Sequence, residues 1–370
     1  MEFLLPGTFC DSLFWRFEFS SSIHLFSILM RKFFFNITLF SAPLLVLLII
    51  LLFVQPDKKF AYTFVKGECD NKAAWIYQRI FENQERIDIA FTGASQTSCA
   101  IMDELVEKQL DSTLNSDLKV ASLGYCRRGR DIQFAMLNDL FSQKRPKILV
   151  IEITENEPAK SHPVFPYLAE SKDVLGSFVF FNQRFLSNIY KALIVRFEFY
   201  KHISFGIKTE KPGSNSNFGY IPSNQIVTID ELSRNQETWN KKLKNQQPAF
   251  ISKIENKYPL HYLEKMVKLA KSNHCDVVFL YLPEYGSGLK EPENIGIYRN
   301  IAPVILLPDS IIQNKTNWKD PMHFNEAGAK QASDFISGEL ASQIEKLNET
   351  SLKQRNHQHT LNSHVTSGSH

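Results

Sequence analysis

Apolar and polar positions divide the 370-residue chain into regimes of different period. The first is a run of 22 residues without a charge, Phe33 to Val54 (FFFNITLFSAPLLVLLIILLFV). At 1.5 Å per residue it reaches about 33 Å, enough for the roughly 30 Å hydrocarbon core of a bilayer. Nine Leu, Ile or Val residues follow Pro43 in succession. That composition argues against a buried core helix, so residues 33–54 are expected to form a transmembrane anchor, with Pro43 kinking the helix or marking its first turn.

From about residue 60 the pattern changes to short apolar runs separated by amphipathic stretches. IDIAFTG (87–93) reads as a buried strand ending at glycine, with a helix expected from about Thr97 to Gln109. LKVASLG (118–124) is a second strand, followed by a helix over about 131–142. KILVIEIT (147–154) is a third strand, and CDVVFLYLP (275–283) a fourth, preceded by a helix over 262–272. PVILLP (303–308) reads as a fifth strand, and a last amphipathic helix covers about 325–346. Apolar strands alternating with helices predict an α/β protein whose parallel sheet is covered on both faces.

Residues 165–250 interrupt this rhythm. DVLGSFVFFNQRFLSNIYKALIVRFEFYKHISFG is aromatic-rich and predicted helical, and the polar stretch KTEKPGSNSNFG follows it. The segment reads as an insertion between the third and fourth strands, serving as extra core, a lid or a surface on the bilayer. The organisation is therefore an N-terminal extension (1–32), an anchor (33–54), a linker and lead-in helix (55–84), an α/β domain (85–346) and a polar tail (347–370) expected to be disordered.

Charges flanking the anchor bear on its orientation. Arg31 and Lys32 precede the run, while Lys58 and Lys59 follow it beside Asp57, so the positive-inside rule is nearly balanced. Met30-Arg-Lys before a long apolar stretch has the form of an uncleaved signal-anchor. On that reading the chain starts at Met30, and the domain after about residue 55 faces the exterior.

The net charge of +3, without a basic stripe, argues against a nucleic-acid partner. Cys10, Cys69, Cys99, Cys126 and Cys275 form no zinc-spaced pair, so no metal or other cofactor is expected. Their wide spacing does not read as a disulfide framework, although a bridge from Cys69 stays open. Polar residues with His357, His359, His364 and His370 end the chain.

Strand ends are where sites form in parallel sheets, and chemistry-bearing residues collect there. Ser95, in Phe-Thr-Gly-Ala-Ser-Gln-Thr, follows the first strand; a serine on such a turn exposes its hydroxyl and leaves its backbone N–H free, and it also suits a helix N-cap. Gly124 follows the second strand, as a turn glycine or a backbone donor to substrate. Asn156 follows the third in Thr-Glu-Asn-Glu, where Glu155 and Glu157 are alternatives. Asp320-Pro-Met-His323 lies near the C-terminus; a carboxylate three residues before a histidine can orient the imidazole as a base. Arg127, Arg128 and Arg130, beside Gly124, read as a solvated basic loop or a receiver for an anionic group.

Ser95, Gly124, Asn156 and Asp320/His323 occur in the order, and at the strand ends, used by the SGNH (GDSL-like) hydrolase superfamily, which residues 85–345 outside the insertion resemble. The resemblance implies a three-layer α/β/α sandwich with a parallel, flavodoxin-like sheet. It also implies a Ser95–His323–Asp320 triad and an oxyanion site formed by the N–H groups of Ser95 and Gly124 with the Asn156 amide. Gly-Ala-Ser replaces Gly-Asp-Ser, and Thr-Glu-Asn-Glu replaces Gly-x-Asn-Asp. These departures look like the membrane-anchored branches of cell-envelope acylation, similar to the alginate O-acetylation proteins and the D-alanyl-lipoteichoic acid protein DltD. The implied activity is an extracytoplasmic serine O-acyltransferase or esterase acting on acylated envelope glycans. It would sit in the cytoplasmic (inner) membrane as a single-pass protein facing the periplasm or exterior, in some cases beside a membrane-bound O-acyltransferase. The alternative is a non-catalytic binding or assembly factor on the same fold.

Overall fold

The computed structural model describes residues 11–67, 69, 71–155, 157–209, 219–244 and 255–366. Two compact units meet at the Gln55–Pro56 bond, and each is described by itself. The first contains α1 (Asp11–Phe53), a 43-residue helix with Pro43 in its interior. Within it Ser27–Phe53, 27 residues, is long and apolar enough to cross a membrane, and its most apolar stretch is entirely unburied. At 1.5 Å per residue this is about 40 Å, longer than the hydrocarbon core.

The second unit opens with α2 (Lys58–Phe64) and α3 (Lys72–Tyr77), and the latter runs into a π-helical turn, Gln78–Glu82. Its centre is a parallel sheet of β1 (Ile89–Thr92), β2 (Val120–Ser122), β3 (Ile148–Ile153), β4 (Asp276–Tyr281) and β5 (Val304–Leu306), in the order β2-β1-β3-β4-β5. The fold is thus α/β, with all five strands parallel. β1 and β3 are buried at every position, which is why their sequences, Thr92 and Glu152 apart, read as apolar runs.

Four further helices connect the first strands: α4 (Ser95–Ala100) and α5 (Asp103–Leu114) after β1, α6 (Arg130–Gln143) after β2, and α7 (Phe165–Leu168) after β3. The single helix expected over 97–109 is broken at Ile101–Met102, where Ile101 is extended and Met102 is also non-helical. Ser333 fills the break: its hydroxyl accepts from the Met102 N–H (2.9 Å) and donates to the Ala100 carbonyl (3.1 Å). A tertiary partner 231 residues away stabilises a break that local sequence does not announce.

The insertion continues with α8 (Ser171–Gly176), a 3-10 turn (Ser177–Phe180), α9 (Phe185–Ser204) and α10 (Ile229–Lys244). It lies between β3 and β4 as expected. The polar stretch after α9 falls largely on 210–218, outside the described residues. Then come α11 (Lys257–Ser272) before β4, α12 (Ile295–Arg299), α13 (Asp309–Ile312), and a two-stranded antiparallel hairpin of β6 (Trp318–Asp320) and β7 (His323–Phe324).

The last helix, α14 (Glu326–Thr366), is 41 residues long. It carries Ala329, Ala332, Ile336 and Leu340 against Val106 and Leu110 of α5 and Phe91, Val150, Val278 and Leu280 of the sheet. This spacing of three and four is one apolar helix face. The tail expected to be disordered is helical as far as Thr366, because 341–366 contain neither Pro nor Gly to stop the helix.

Cys69 and Cys126 form a disulfide, with Cα atoms 5.5 Å apart across 57 residues of sequence. The cysteine spacing gives no sign of it; the fold brings the two together. Cys99 and Cys275 are free and buried.

Candidate active site

Ser95 and the Asp-x-x-His motif meet at the carboxyl edge of the sheet. Two residues separate Asp320 from His323, and these two are direct cross-strand partners at the tip of the β6–β7 hairpin. The Asp320 carboxylate accepts from the backbone N–H of Met322 (2.8 Å) and His323 (3.0 Å), closing the turn with its own side chain. The same carboxylate meets His323 Nδ1 at 2.8 Å. Burial raises the Asp320 carboxyl, but the hydrogen bond and charge of His323 and the Met322 N–H outweigh it and hold the group below its ordinary value.

An ionised Asp320 can only accept, so Nδ1 carries the ring proton and Nε2 of the neutral imidazole is an acceptor. Ser95 Oγ lies 2.7 Å from that Nε2 and donates to it. Hydroxyl, imidazole and carboxylate are therefore in one hydrogen-bonded line, a geometry that can serve a nucleophile, its base and an orienting group.

Ser95 is the first residue of α4, directly after the β1 turn. Glu152, a fully buried carboxylate on β3, braces this turn: Oε2 accepts from the N–H of Ala94 (2.9 Å) and Thr97 (2.9 Å), and Thr97 Oγ1 also bonds it. Desolvation raises the Glu152 carboxyl, opposed by the hydrogen bonds from Thr97 and Ala94. Gly93 leaves room for the carboxylate, since a Cβ at this position would come within 2.6 Å of Glu152 Cβ. Sequence reasoning missed Glu152; the available signal was one carboxylate inside the apolar strand ILVIEI.

Gly124 packs on the same helix. A Cβ there would lie 2.8 Å from Ser98 N and 2.9 Å from the Ala94 carbonyl oxygen, so only glycine permits this approach. Among the described residues nothing accepts the N–H of Ser95 or of Gly124. Asn156 lies outside the described residues. Its neighbours are engaged elsewhere: Glu155 accepts from the Glu293 N–H (3.1 Å), and Glu157 pairs with Arg130 (3.3 Å).

The basic loop is neither a solvated patch nor an open anion receiver. Arg128 is mostly buried and bonds Glu284 (2.7 Å), the Gln96 amide oxygen (3.0 Å) and the Glu155 carbonyl (3.0 Å). Arg130 is buried between Glu157 and the Tyr298 hydroxyl (3.0 Å). Only Arg127 is exposed. Trp239 of α10 donates to Glu284 (3.0 Å), so the insertion reaches the rim through this network. Residues 219–228, in neither helix nor strand, run between α4 and the hairpin, with Ile221 N–H on the Ser98 carbonyl (2.8 Å) and Val227 N–H on the Trp318 carbonyl (3.0 Å).

A cavity of about 210 Å³ with mixed lining opens nearby, bounded by Arg130, Glu157, Asn294, Leu260, Ile297 and Tyr298 and by none of the triad. Among the described residues no His, Cys, Asp and Glu cluster could hold a metal ion. No protein-family model matches the sequence, and no curated protein does either.

Proposed function

We propose that this chain is a membrane-anchored serine esterase or O-acyltransferase of SGNH type, acting on acyl groups of cell-envelope glycans. The observation that carries the reading is the line Ser95 Oγ–His323 Nε2–Asp320, at 2.7 Å and 2.8 Å. The strand order β2-β1-β3-β4-β5 supports it, being the order of flavodoxin-like doubly wound sheets. Strand alternation supports the three-layer form, since it turns Phe91 toward α5 and α14 and Ala90 away from them.

In the first step His323 Nε2 takes the Ser95 proton as Oγ attacks the acyl carbonyl carbon. The N–H groups of Ser95 and Gly124 hold the resulting oxyanion, with the Asn156 amide as the third donor the resemblance assigns. The C–O bond to the leaving alcohol breaks, and the alcohol departs with the proton from Nε2. A sugar hydroxyl or water, deprotonated by the same nitrogen, then attacks the acyl-enzyme and releases Ser95. Sugar as acceptor makes the protein a transferase, water an esterase.

The Cys69–Cys126 disulfide supports an extracytoplasmic domain, because such bonds persist in oxidising compartments. The helix Ser27–Phe53 then serves as a single-pass anchor in the cytoplasmic membrane, with acylated glycan and a membrane-bound acyltransferase as partners. The test is covalent labelling of the full chain by a fluorophosphonate, together with hydrolysis of a chromogenic acetyl ester. Ser95→Ala and His323→Ala are expected to remove labelling and lower turnover by about 10³-fold or more. A wild-type chain that takes no label and cleaves no ester, yet binds glycan, would identify a binding module instead.

A further inference from the structure

Helix α9 buries Asn188, Ala192, Val195 and Arg196 on one face, with Ser161 bonding Asn188 (2.8 Å) and Arg196 bonding Ser171 (3.0 Å). The opposite face presents Leu186, Tyr190, Phe197 and Tyr200, which fall within about 80° of one another at 100° per residue. Leu186 is 80% exposed. The apolar face continues into Phe178 and Phe181 before the helix and Phe205 (75% exposed) after it. A contiguous patch of this kind on a folded domain marks an interaction surface.

Its surroundings indicate which one. Two lysines lie at its rim: Lys257 Nζ sits 5.0 Å above the Phe181 ring, and Lys201 Nζ, paired with Glu198 (2.9 Å), lies 5.7 Å from the Phe197 ring. Aromatic side chains beside lysines are the composition of a segment lying in the interface of an anionic bilayer. Chain connectivity supplies the second argument. α2 begins at Lys58, five residues after the last residue of α1, a tether that spans at most about 18 Å when fully extended. α2 is fixed to α9 by Phe60, whose ring is 5.2 Å from Phe199 and 4.9 Å from His202.

We infer that the outward face of α9, with Phe178, Phe181 and Phe205, rests on the bilayer surface, so that the catalytic domain is held against the membrane by two attachments. The inference depends on the reading of Ser27–Phe53 as a membrane span but not on the serine chemistry.

The test uses the full chain, one copy per nanodisc of phosphatidylcholine and phosphatidylglycerol, with Cys10→Ser and an environment-sensitive fluorophore on Leu186→Cys, Phe197→Cys or Phe205→Cys. Lys330→Cys, an exposed position on α14, is the control. Lipids carrying a nitroxide on the acyl chain are expected to quench the three stripe positions roughly threefold more than the control. Aqueous iodide should act in the reverse order. Equal iodide quenching at all four sites, in chains that co-purify with the disc, overturns the inference. Lipid contact that appears only with two copies per disc also overturns it and assigns the face to a second chain. Failure of the chain to enter discs rejects the anchor itself, and fluorophosphonate labelling in the same samples reports the serine chemistry separately.

Discussion

At the start of α4 a single carboxylate oxygen of Glu152 gathers three donors, from Ala94 and Thr97, and so fixes the turn that presents Ser95. Removing it leaves two buried N–H groups without a partner, each costing roughly 1–3 kcal/mol. Glu152→Ala is therefore expected to destabilise the domain by about 2–6 kcal/mol in urea titrations and to abolish Ser95 labelling. Glu152→Gln, which keeps an acceptor oxygen, should retain part of both. Asp320→Asn preserves the hairpin's shape but can donate to Nδ1, which favours the wrong tautomer; turnover should fall by about 10⁴-fold with little change in KM. Ser95, Asp320 and His323 were legible because each is a reactive residue type at a strand end or in a fixed spacing. Glu152 was not, because nothing local separates a structural carboxylate in a strand from one that faces a neighbouring helix terminus.

Among elements, the strands were the most legible, since full burial writes itself as an apolar run. Helix limits were less so. The break between α4 and α5 depends on Ser333 of α14, and the length of α14 depends on a stretch that contains no stop signal. The disulfide was hidden for a related reason, its partners lying 57 residues apart on separate elements. It ties the segment before α3 to the loop that follows Gly124. Closing a loop of that length removes about 4 kcal/mol of unfolded-chain entropy on the chain-entropy model. Cys69→Ser is expected to lower stability by about 2–4 kcal/mol, read as a shift in urea midpoint, and reductant should bring the wild type to the same midpoint.

Across the whole molecule, a buried cluster joins α6, the segment after β3 and α11. Asp131 accepts from the His162 N–H (3.0 Å) and the Tyr258 hydroxyl (3.0 Å). His162 Nδ1 accepts from the Val164 N–H (3.1 Å), so its other nitrogen donates to the Cys126 carbonyl (2.9 Å) and the ring is neutral. Burial pushes His162 down to about 4 and Asp131 up to about 7. Between about 6.5 and about 4 the unfolded chain binds the histidine proton and the folded chain does not, so this group costs stability as pH falls. Asp131 acts oppositely: the folded chain keeps its proton from about 3.8 up to about 7, and its contribution is lost as pH rises through that range. Urea midpoints measured across this window should lose their acid-side decline in His162→Gln and their decline toward neutral pH in Asp131→Asn.

The hairpin that joins Asp320 to His323 has a consequence for how the site comes into being. Its two partners are three residues apart, whereas the bond from His323 to Ser95 spans 228 residues. The first contact is local enough to form in a peptide; the second requires β1 to be seated between β2 and β3 and α14 to have docked. Loops that long close late, at a rate set by topology. On the proposed chemistry, fluorophosphonate uptake by Ser95 is accordingly a sensor of completed assembly. During refolding, fluorophosphonate uptake should trail the recovery of helical signal, and under mild denaturant it should be the first property to disappear.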